Sequence, residues 1–231
     1  MKQTITKNLI LNYQDGLDDF VNTSINIVDE KTPLIKEIFE CNDICVGQLK
    51  ASFFTDRNDF VNYISSISGG HTPPSWATGC FYNGEIQTLI DLNKKENLEY
   101  QTHTLIHEIV HLYFNKLIYN KYEIDRIRWF DESYACYIDG HIENIKIENL
   151  KEICVKLKSL NDFDMNTLDN IKNVRTNNYN GYDMFLTVGK YIFENNLEKK
   201  YLKILKNNPK KIRKIGLKIL SKAISYVENL N

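Results

Sequence analysis

Two histidines and a glutamate in one short segment have the residue types and the spacing of a hydrolytic metal site. Residues 107–111 read His-Glu-Ile-Val-His, within an apolar stretch that looks helical. Residues four apart on an α-helix lie on the same face, so His107 and His111 can direct two imidazoles at one zinc ion. Glu108 points about 100° further round the helix, from where it can reach a metal-bound water without being a ligand. The segment predicts half of a zinc site and its general base.

A catalytic zinc ion needs a third protein ligand, and the sequence offers three candidates. His103 lies one turn before His107, but a metal ion does not easily span three consecutive turns of one straight helix. His141 lies far beyond the motif, outside the compact HExxHxxGxxH pattern. Glu132 is the best candidate, because we expect it at a helix start, where the helix dipole favours a carboxylate. The alternative is an ordinary glutamate in solvent.

The composition predicts a cytoplasmic protein. The chain of 231 residues is long enough for one large domain or two small ones. No apolar run approaches the length of about 18 residues that crosses a bilayer, which excludes an intramembrane metallopeptidase, and the N-terminal segment is too polar for a secretory signal. Five cysteines are an odd number, typical of reduced thiols. We expect Cys41 and Cys45 to be small buried residues.

The first half of the chain mixes predicted helices and strands. We expect a short helix opening at Thr32 and Pro33, and a strand over 46–54 followed by a helix capped by Thr55 or Asp56. Strands over 76–82 and 85–92 are joined by Asn83-Gly84, a hairpin turn signal. The HExxH helix is predicted over 98–118. Hence residues 1–118 form an α+β subdomain with a small mixed sheet.

The second half is predicted to be helical, and residues 119–231 form a second subdomain that carries Glu132. Helices are expected over 122–140, 147–159, 164–173, 182–195, 197–207 and 209–229. Residues 199–231 carry ten Lys or Arg and one acidic residue, a net charge of +9. The last helix has one apolar face and one lysine face, typical of core packing with solvated lysines. We therefore expect no nucleic-acid and no membrane partner.

The two motifs together resemble those of the gluzincins, zinc peptidases with the pattern HExxH…E. The chain is similar to the peptidase-MA-like bacterial proteins and to the catalytic core of alanyl/leucine-type aminopeptidases, whose second motif reads W-x-x-E-G-x-A. Here that motif is Trp129-Phe130-x-Glu132-x-x-Ala135. The resemblance implies a zincin-like fold, Zn²⁺ bound by His107, His111 and Glu132, and Glu108 as general base.

Departures from the family pattern concern the residues around these ligands. Ser133 replaces the glycine after the ligand glutamate, a tolerable change. Cys136 stands where thermolysin-like gluzincins have an aspartate that orients a ligand histidine. Asp131, Asp139 or a backbone carbonyl are the candidates for the acceptor that orients this histidine.

A further departure concerns the substrate. Aminopeptidases of this type use a glutamate in G-x-M-E-N to hold the free amine, whereas this chain has Gly79-Cys80-Phe81-Tyr82-Asn83. Tyr82 therefore replaces the amine anchor, which favours an endopeptidase over an aminopeptidase. In gluzincins a tyrosine or histidine also stabilises the oxyanion, and Tyr182 aligns best with that tyrosine, with Tyr179 as the substitute.

The expected function is hydrolysis of a peptide or protein substrate by metal-activated water with Glu108 as base. The alternative from another class is a non-catalytic gluzincin-like protein that keeps zinc and binds a partner. A third hypothesis is a peptidase acting on one dedicated partner. Cleavage preference and oligomeric state have no signal in the sequence.

Overall fold

The computed structural model describes residues 1–41, 47–82, 84–93, 98–160 and 163–230. The chain divides into two compact units, Met1–Tyr113 and Phe114–Asn231. The first unit combines a sheet with helices, and the described part of the second unit is helical apart from one isolated bridge. The predicted α+β class and the small mixed sheet are therefore confirmed.

The sheet of the first unit has five strands among the described residues, in the order β1-β2-β3-β5-β4. The strands are β1 (Lys2–Ile5), β2 (Leu9–Tyr13), β3 (Leu49–Phe54), β4 (Gly79–Tyr82) and β5 (Glu85–Leu89). The three inner strands β2, β3 and β5 are parallel, whereas β1 and β4 run antiparallel to their neighbours. The strand β4 thus forms one edge of the sheet.

Helices α1 (Asp18–Phe39), α2 (Arg57–Ile67) and α3 (Leu98–Phe114) accompany this sheet. Successive residues of a strand point to opposite faces, and β3 uses both faces. Phe53 meets Phe20 of α1 with ring centroids 5.1 Å apart, while Phe54 meets Phe60 of α2 at 6.0 Å. The helices α1 and α2 therefore cover opposite faces of the sheet.

The helix predicted to open at Thr32 is wrong, because α1 runs without interruption from Asp18 to Phe39. The Thr32 hydroxyl donates to the carbonyl of Val28 at 2.5 Å, so it bonds back into the preceding turn instead of capping a new helix. Pro33 has no N–H to continue the ladder. The helix persists across it because the apolar residues that follow on one face, Ile35, Ile38 and Phe39, are buried in the core.

The helix after β3 begins as predicted, with Asp56 as its N-cap. Its carboxylate accepts from the backbone N–H groups of Asn58 at 2.8 Å and Asp59 at 3.0 Å. The two following strands exist but are shorter than predicted. In the turn between them Gly84 has a φ of +81°, as a hairpin turn requires, and Asn83 lies outside the described residues.

The second unit contains helices α4 (Asn120–Tyr122), α5 (Arg128–Ile138), α6 (Ile147–Lys158), α7 (Gly181–Glu194), α8 (Glu198–Asn207) and α9 (Pro209–Glu228). The predictions for α6 to α9 are confirmed to within a residue or two. Others are wrong in extent: the HExxH helix becomes a π-helical turn over Asn115–Tyr119, and the segment 164–173 forms two 3₁₀ turns.

The core of the second unit is built around α5, in which nine of eleven residues are buried. Trp129, Phe130 and Tyr134 have no exposed surface, and α5 packs against α7, which packs against α9. None of the four described cysteines forms a disulfide. Cys41 is only partly buried, so its predicted burial is wrong, and Cys45 lies outside the described residues. No helix in the described ranges is long and apolar enough to cross a membrane.

Candidate metal centre

Helix α3 holds the two motif histidines one turn apart. The ring centroids of His107 and His111 are separated by 4.7 Å, with an angle of 79° between the ring planes. His107 is 9% exposed, and His111 is of intermediate burial. Adjacent imidazoles on one helix face are the arrangement that lets two ring nitrogens share one metal ion.

Glu108 lies directly against the edge strand of the sheet. A methyl group at Gly79 of β4 would be 2.8 Å from Oε1 of Glu108 and 2.7 Å from Cγ2 of Thr104. A side chain at position 79 would therefore force Glu108 or Thr104 to shift. The Glu108 carboxylate, 9% exposed, is held beside the backbone of the strand that offers an edge of the sheet.

The thiol of Cys80, the residue after Gly79, is not suited to bind a metal ion. Burial, and to a smaller extent the negative charge of Glu108, raises the pKa of Cys80 to about 12. A metal ligand or nucleophile needs the thiolate. Cys80 instead packs against the cluster of Phe54, Phe60 and Ile64 under α2.

Glu132 lies on α5 and is 4% exposed. It was expected at the helix start, but α5 begins at Arg128 after the extended residue Ile127, so Glu132 occupies the second turn. Its Oε1 accepts from Nη2 of Arg126 at 3.2 Å and from Nη1 of Arg128 at 3.4 Å. These two cations compensate the desolvation of a buried carboxylate.

Sequence reasoning missed both arginines. The spacing of Arg128 and Glu132, four residues apart on one helix, was an available signal for an ion pair. Arg126 precedes the helix and carries no such signal. It forms a two-pronged ion pair with Asp131, in which Nε donates at 2.6 Å and Nη2 at 2.9 Å.

His107, His111 and Glu132 each offer one ligand atom, and the three atoms all lie within 4.8 Å of one another. Two imidazole nitrogens and one carboxylate oxygen are a donor set that zinc accepts. The donor set fits zinc, although Glu132 also has its arginine partners.

The two aspartates considered as partners of a ligand histidine, Asp131 and Asp139, are both buried. The Asp131 carboxylate pairs with Arg126, as described above, and Asp139 and Cys136 are 0% and 2% exposed. The identity of the group that orients a ligand histidine stays a prediction with the same three candidates.

Tyr182 is the second residue of α7, whose N-cap is Asn180. Its ring contacts Phe185 at a centroid distance of 5.4 Å, and the guanidinium carbon of Arg175 lies 5.0 Å from the ring centroid. The substitute Tyr179 packs against Phe163 at 4.8 Å. These contacts give both rings a packing role, and the role in oxyanion stabilisation stays a prediction.

The remaining residues weighed in the sequence do not join the metal-ligating group. His103 is partly buried and is not one of its members. His141 begins a 3₁₀ turn, and its side chain lies outside what the structure describes. Position 82, at the end of β4, is a tyrosine that is 38% exposed, and not a carboxylate that could hold a substrate amine.

No protein-family model matches this sequence, and no curated protein matches it either. The resemblance to gluzincins consequently depends on the two motifs and on the residues just described.

Proposed function

We propose that this chain is a zinc-dependent peptidase of the gluzincin type. The observation that carries the proposal is the grouping of one ligand atom each from His107, His111 and Glu132 within 4.8 Å. The three side chains come from two helices and are of the types that ligate zinc in proteins. The position of Glu108 beside β4 adds a carboxylate next to the pair of histidines.

In this proposal the residues act as metal ligands, as the general base or as a hydrogen-bond donor. His107, His111 and Glu132 would hold the ion, and Zn²⁺ when bound supplies Lewis acidity, which polarises an amide carbonyl and acidifies a water. A carboxyl oxygen of Glu108 accepts the proton of the attacking water and later gives it to the leaving amine. Tyr182, or Tyr179 in its place, donates a hydrogen bond to the reacting carbonyl oxygen.

The substrate in this proposal is an internal segment of a peptide or unfolded protein. An aminopeptidase needs a carboxylate near the scissile bond to hold the free amine, and this chain has the exposed Tyr82 where such a residue would stand. The absence of that anchor supports cleavage within a chain.

The first prediction tests the general base. Glu108→Gln keeps the size of the side chain but cannot accept a proton, so hydrolysis of casein should fall by at least about 1,000-fold, because general-base catalysis and water orientation are lost together. Zinc content, measured by atomic absorption, should remain near one ion per chain. Glu30→Gln, an exposed change on α1, serves as the matched control and should retain full activity. Unchanged hydrolysis by Glu108→Gln would reject the mechanism.

The contacts of Arg126 and Arg128 with Glu132 favour a second candidate, a zinc-binding protein without catalysis. The negative charge of the Glu132 carboxylate is balanced by these two guanidinium groups without a metal ion. The burial of Glu132 can therefore be explained by stability, without a catalytic role. Zinc binding by the wild-type chain with no cleavage of casein or of a mixed peptide library would support this candidate. A peptidase with one dedicated partner would instead cleave that partner in a cell extract.

A further inference from the structure

A cavity of about 460 Å³ opens in the second unit. It is lined by the last turns of α6, the loop over 175–180 and the first turn of α7, and none of the proposed zinc ligands belongs to it. Ligand sites commonly have volumes of about 300–1,000 Å³. The cavity is therefore large enough for a small molecule.

The loop that forms one wall has its own internal framework. Arg175 and Asn180 form an antiparallel bridge at its base. The hydroxyl oxygen of Thr176 accepts from the backbone N–H groups of Asn178 and Tyr179, each at 3.2 Å. Because these bonds hold the turn from within, its side chains line a preformed wall.

One wall group is a half-buried carboxylate, that of Asp183. Among the described residues, the Asp183 carboxylate accepts one side-chain hydrogen bond, from Nδ2 of Asn180 at 3.2 Å. Burial is the main cause that raises the pKa of Asp183, and the charges of Lys156 and Arg175 oppose this shift. A carboxylate of this kind gains when a cationic donor enters the cavity.

The same cavity carries two cations. Lys156 belongs to the last turn of α6 and is exposed. Arg175 is restrained by the ring of Tyr182, 5.0 Å away. Both act on Asp183 through their charge, so the positive and negative groups share one small space. These cations suit an anionic group such as a carboxylate.

The rest of the wall is partly apolar. Leu157 is 5% exposed, and Leu160 and the ring of Tyr179 lie beside it in the lining. The ring of Tyr179 is fixed by its edge contact with Phe163. A ligand with an aliphatic side chain can therefore bury apolar surface there.

We propose that this cavity binds a small zwitterion, an α-amino acid. The ammonium group pairs with Asp183, the carboxylate pairs with Lys156 and Arg175, and an aliphatic side chain contacts Leu157 and Tyr179. The site goes beyond the proposed peptidase activity and does not depend on it, because its lining lies entirely within the second unit.

The test uses three probes of nearly equal shape on the full chain. Leucine carries both charges, leucinamide only the ammonium group, and 4-methylpentanoate only the carboxylate. Each is titrated into ¹⁵N-labelled protein, and amide shifts are followed by NMR. Leucine should shift the amides of residues 176–180 and 183 and bind at least about tenfold more tightly than either analogue.

Substitutions of Asp183 and Lys156 test which protein charge pairs with which group of the ligand. Asp183→Asn should weaken leucine binding at least about tenfold and leave 4-methylpentanoate unaffected, and Lys156→Gln should weaken leucine but not leucinamide. Glu152→Gln, an exposed change on the same helix as Lys156, should alter nothing. Shifts confined to other residues, no saturation with leucine at millimolar concentration, or equal binding of 4-methylpentanoate would each overturn the proposal. If Asp183→Asn fails to fold, the exposed Lys156 variant and the three wild-type titrations still decide it.

Discussion

The buried carboxylate of Glu132 has two roles that compete: it pairs with arginines, and it is a candidate metal ligand. Its Oε1 is already within 3.2 Å and 3.4 Å of two guanidinium groups, which compensate its charge without a metal. A divalent ion would share the same carboxylate. Under the proposed zinc binding, the ion pairs should let the chain fold without the ion and should lower the affinity for zinc relative to a glutamate with neutral neighbours.

Gly79 packs directly against Glu108, the proposed general base. In Gly79→Ala the new methyl group would lie 2.8 Å from Oε1 of Glu108, closer than real contacts of this type. We predict that the carboxylate is displaced, that casein hydrolysis falls at least tenfold, and that the zinc content is unchanged. Overpacking should cost about 1–3 kcal/mol of the free energy of unfolding. Hydrolysis assays and urea unfolding measure the two effects.

The double variant Gly79→Ala/Thr104→Ser separates the two contacts of that methyl group. The serine lacks the Cγ2 atom that would lie 2.7 Å away, so stability should partly recover. Activity should not recover, because the conflict with Glu108 remains. Full activity in either variant would contradict a catalytic carboxylate held at this point of the strand.

At the scale of residues, the sequence predicted the contact between the two motif histidines, because that contact depends only on helical spacing. The adjacency of His107 and His111 follows from four-residue spacing and is present. Arg126 could not be predicted as a partner of Glu132, because it reaches the carboxylate from outside the helix. Thr32 was misjudged for a related reason: a hydroxyl can cap a helix or bond back into one, and the choice depends on tertiary packing.

At the scale of elements, the periodic apolar pattern located the helices but not their ends. Glu123 adopts a left-handed conformation, with φ of 53°, which ends the short helix α4 and delays α5 until Arg128. The π-helical turn after Phe114 also has no local signature. Such backbone changes depend on how neighbouring turns pack, which apolar periodicity does not encode.

Helices α5 and α7 approach so closely at Gly189 that a larger residue would not fit there without a shift of the backbone. A Cβ atom at Gly189 of α7 would overlap the backbone carbonyl oxygen of Ser133 in α5. Alanine would gain about 1 kcal/mol in helix propensity, but the clash is with backbone, which cannot rotate away. We predict that Gly189→Ala lowers the free energy of unfolding by roughly 2–3 kcal/mol, measured by urea denaturation.

Gly216 of α9 offers the matched comparison. An added methyl group there would lie 3.1 Å from the Trp129 ring, a tight contact with a side chain and not an overlap with backbone. The gain in propensity should nearly offset the strain, so Gly216→Ala should change stability by less than about 1 kcal/mol. Equal effects of the two substitutions would show that the approach of α5 and α7 is not limiting.

At the scale of the whole molecule, the charge asymmetry has a structural explanation. Along one face of α9 Ile212, Ile219 and Val227 are buried, whereas Lys214 and Lys218 are exposed. The predicted amphipathic helix is thus confirmed, including its solvated lysines. The predicted division into subdomains at residue 118 and the absence of nucleic-acid partners stay predictions.

Zinc should stabilise the whole chain, because an ion that binds only the folded state shifts the unfolding equilibrium. At a free concentration of 100 times Kd this linkage contributes about 2.7 kcal/mol, which for a chain of this size raises Tm by roughly 5–10 °C. Differential scanning fluorimetry with zinc, with magnesium, and after chelation measures the shift. Magnesium should have no effect, since it disfavours imidazole ligands. Glu132→Gln keeps the shape of the side chain and should remove most of the zinc-dependent shift, whatever its own Tm. An undiminished shift in that variant would show that zinc binds elsewhere in the chain.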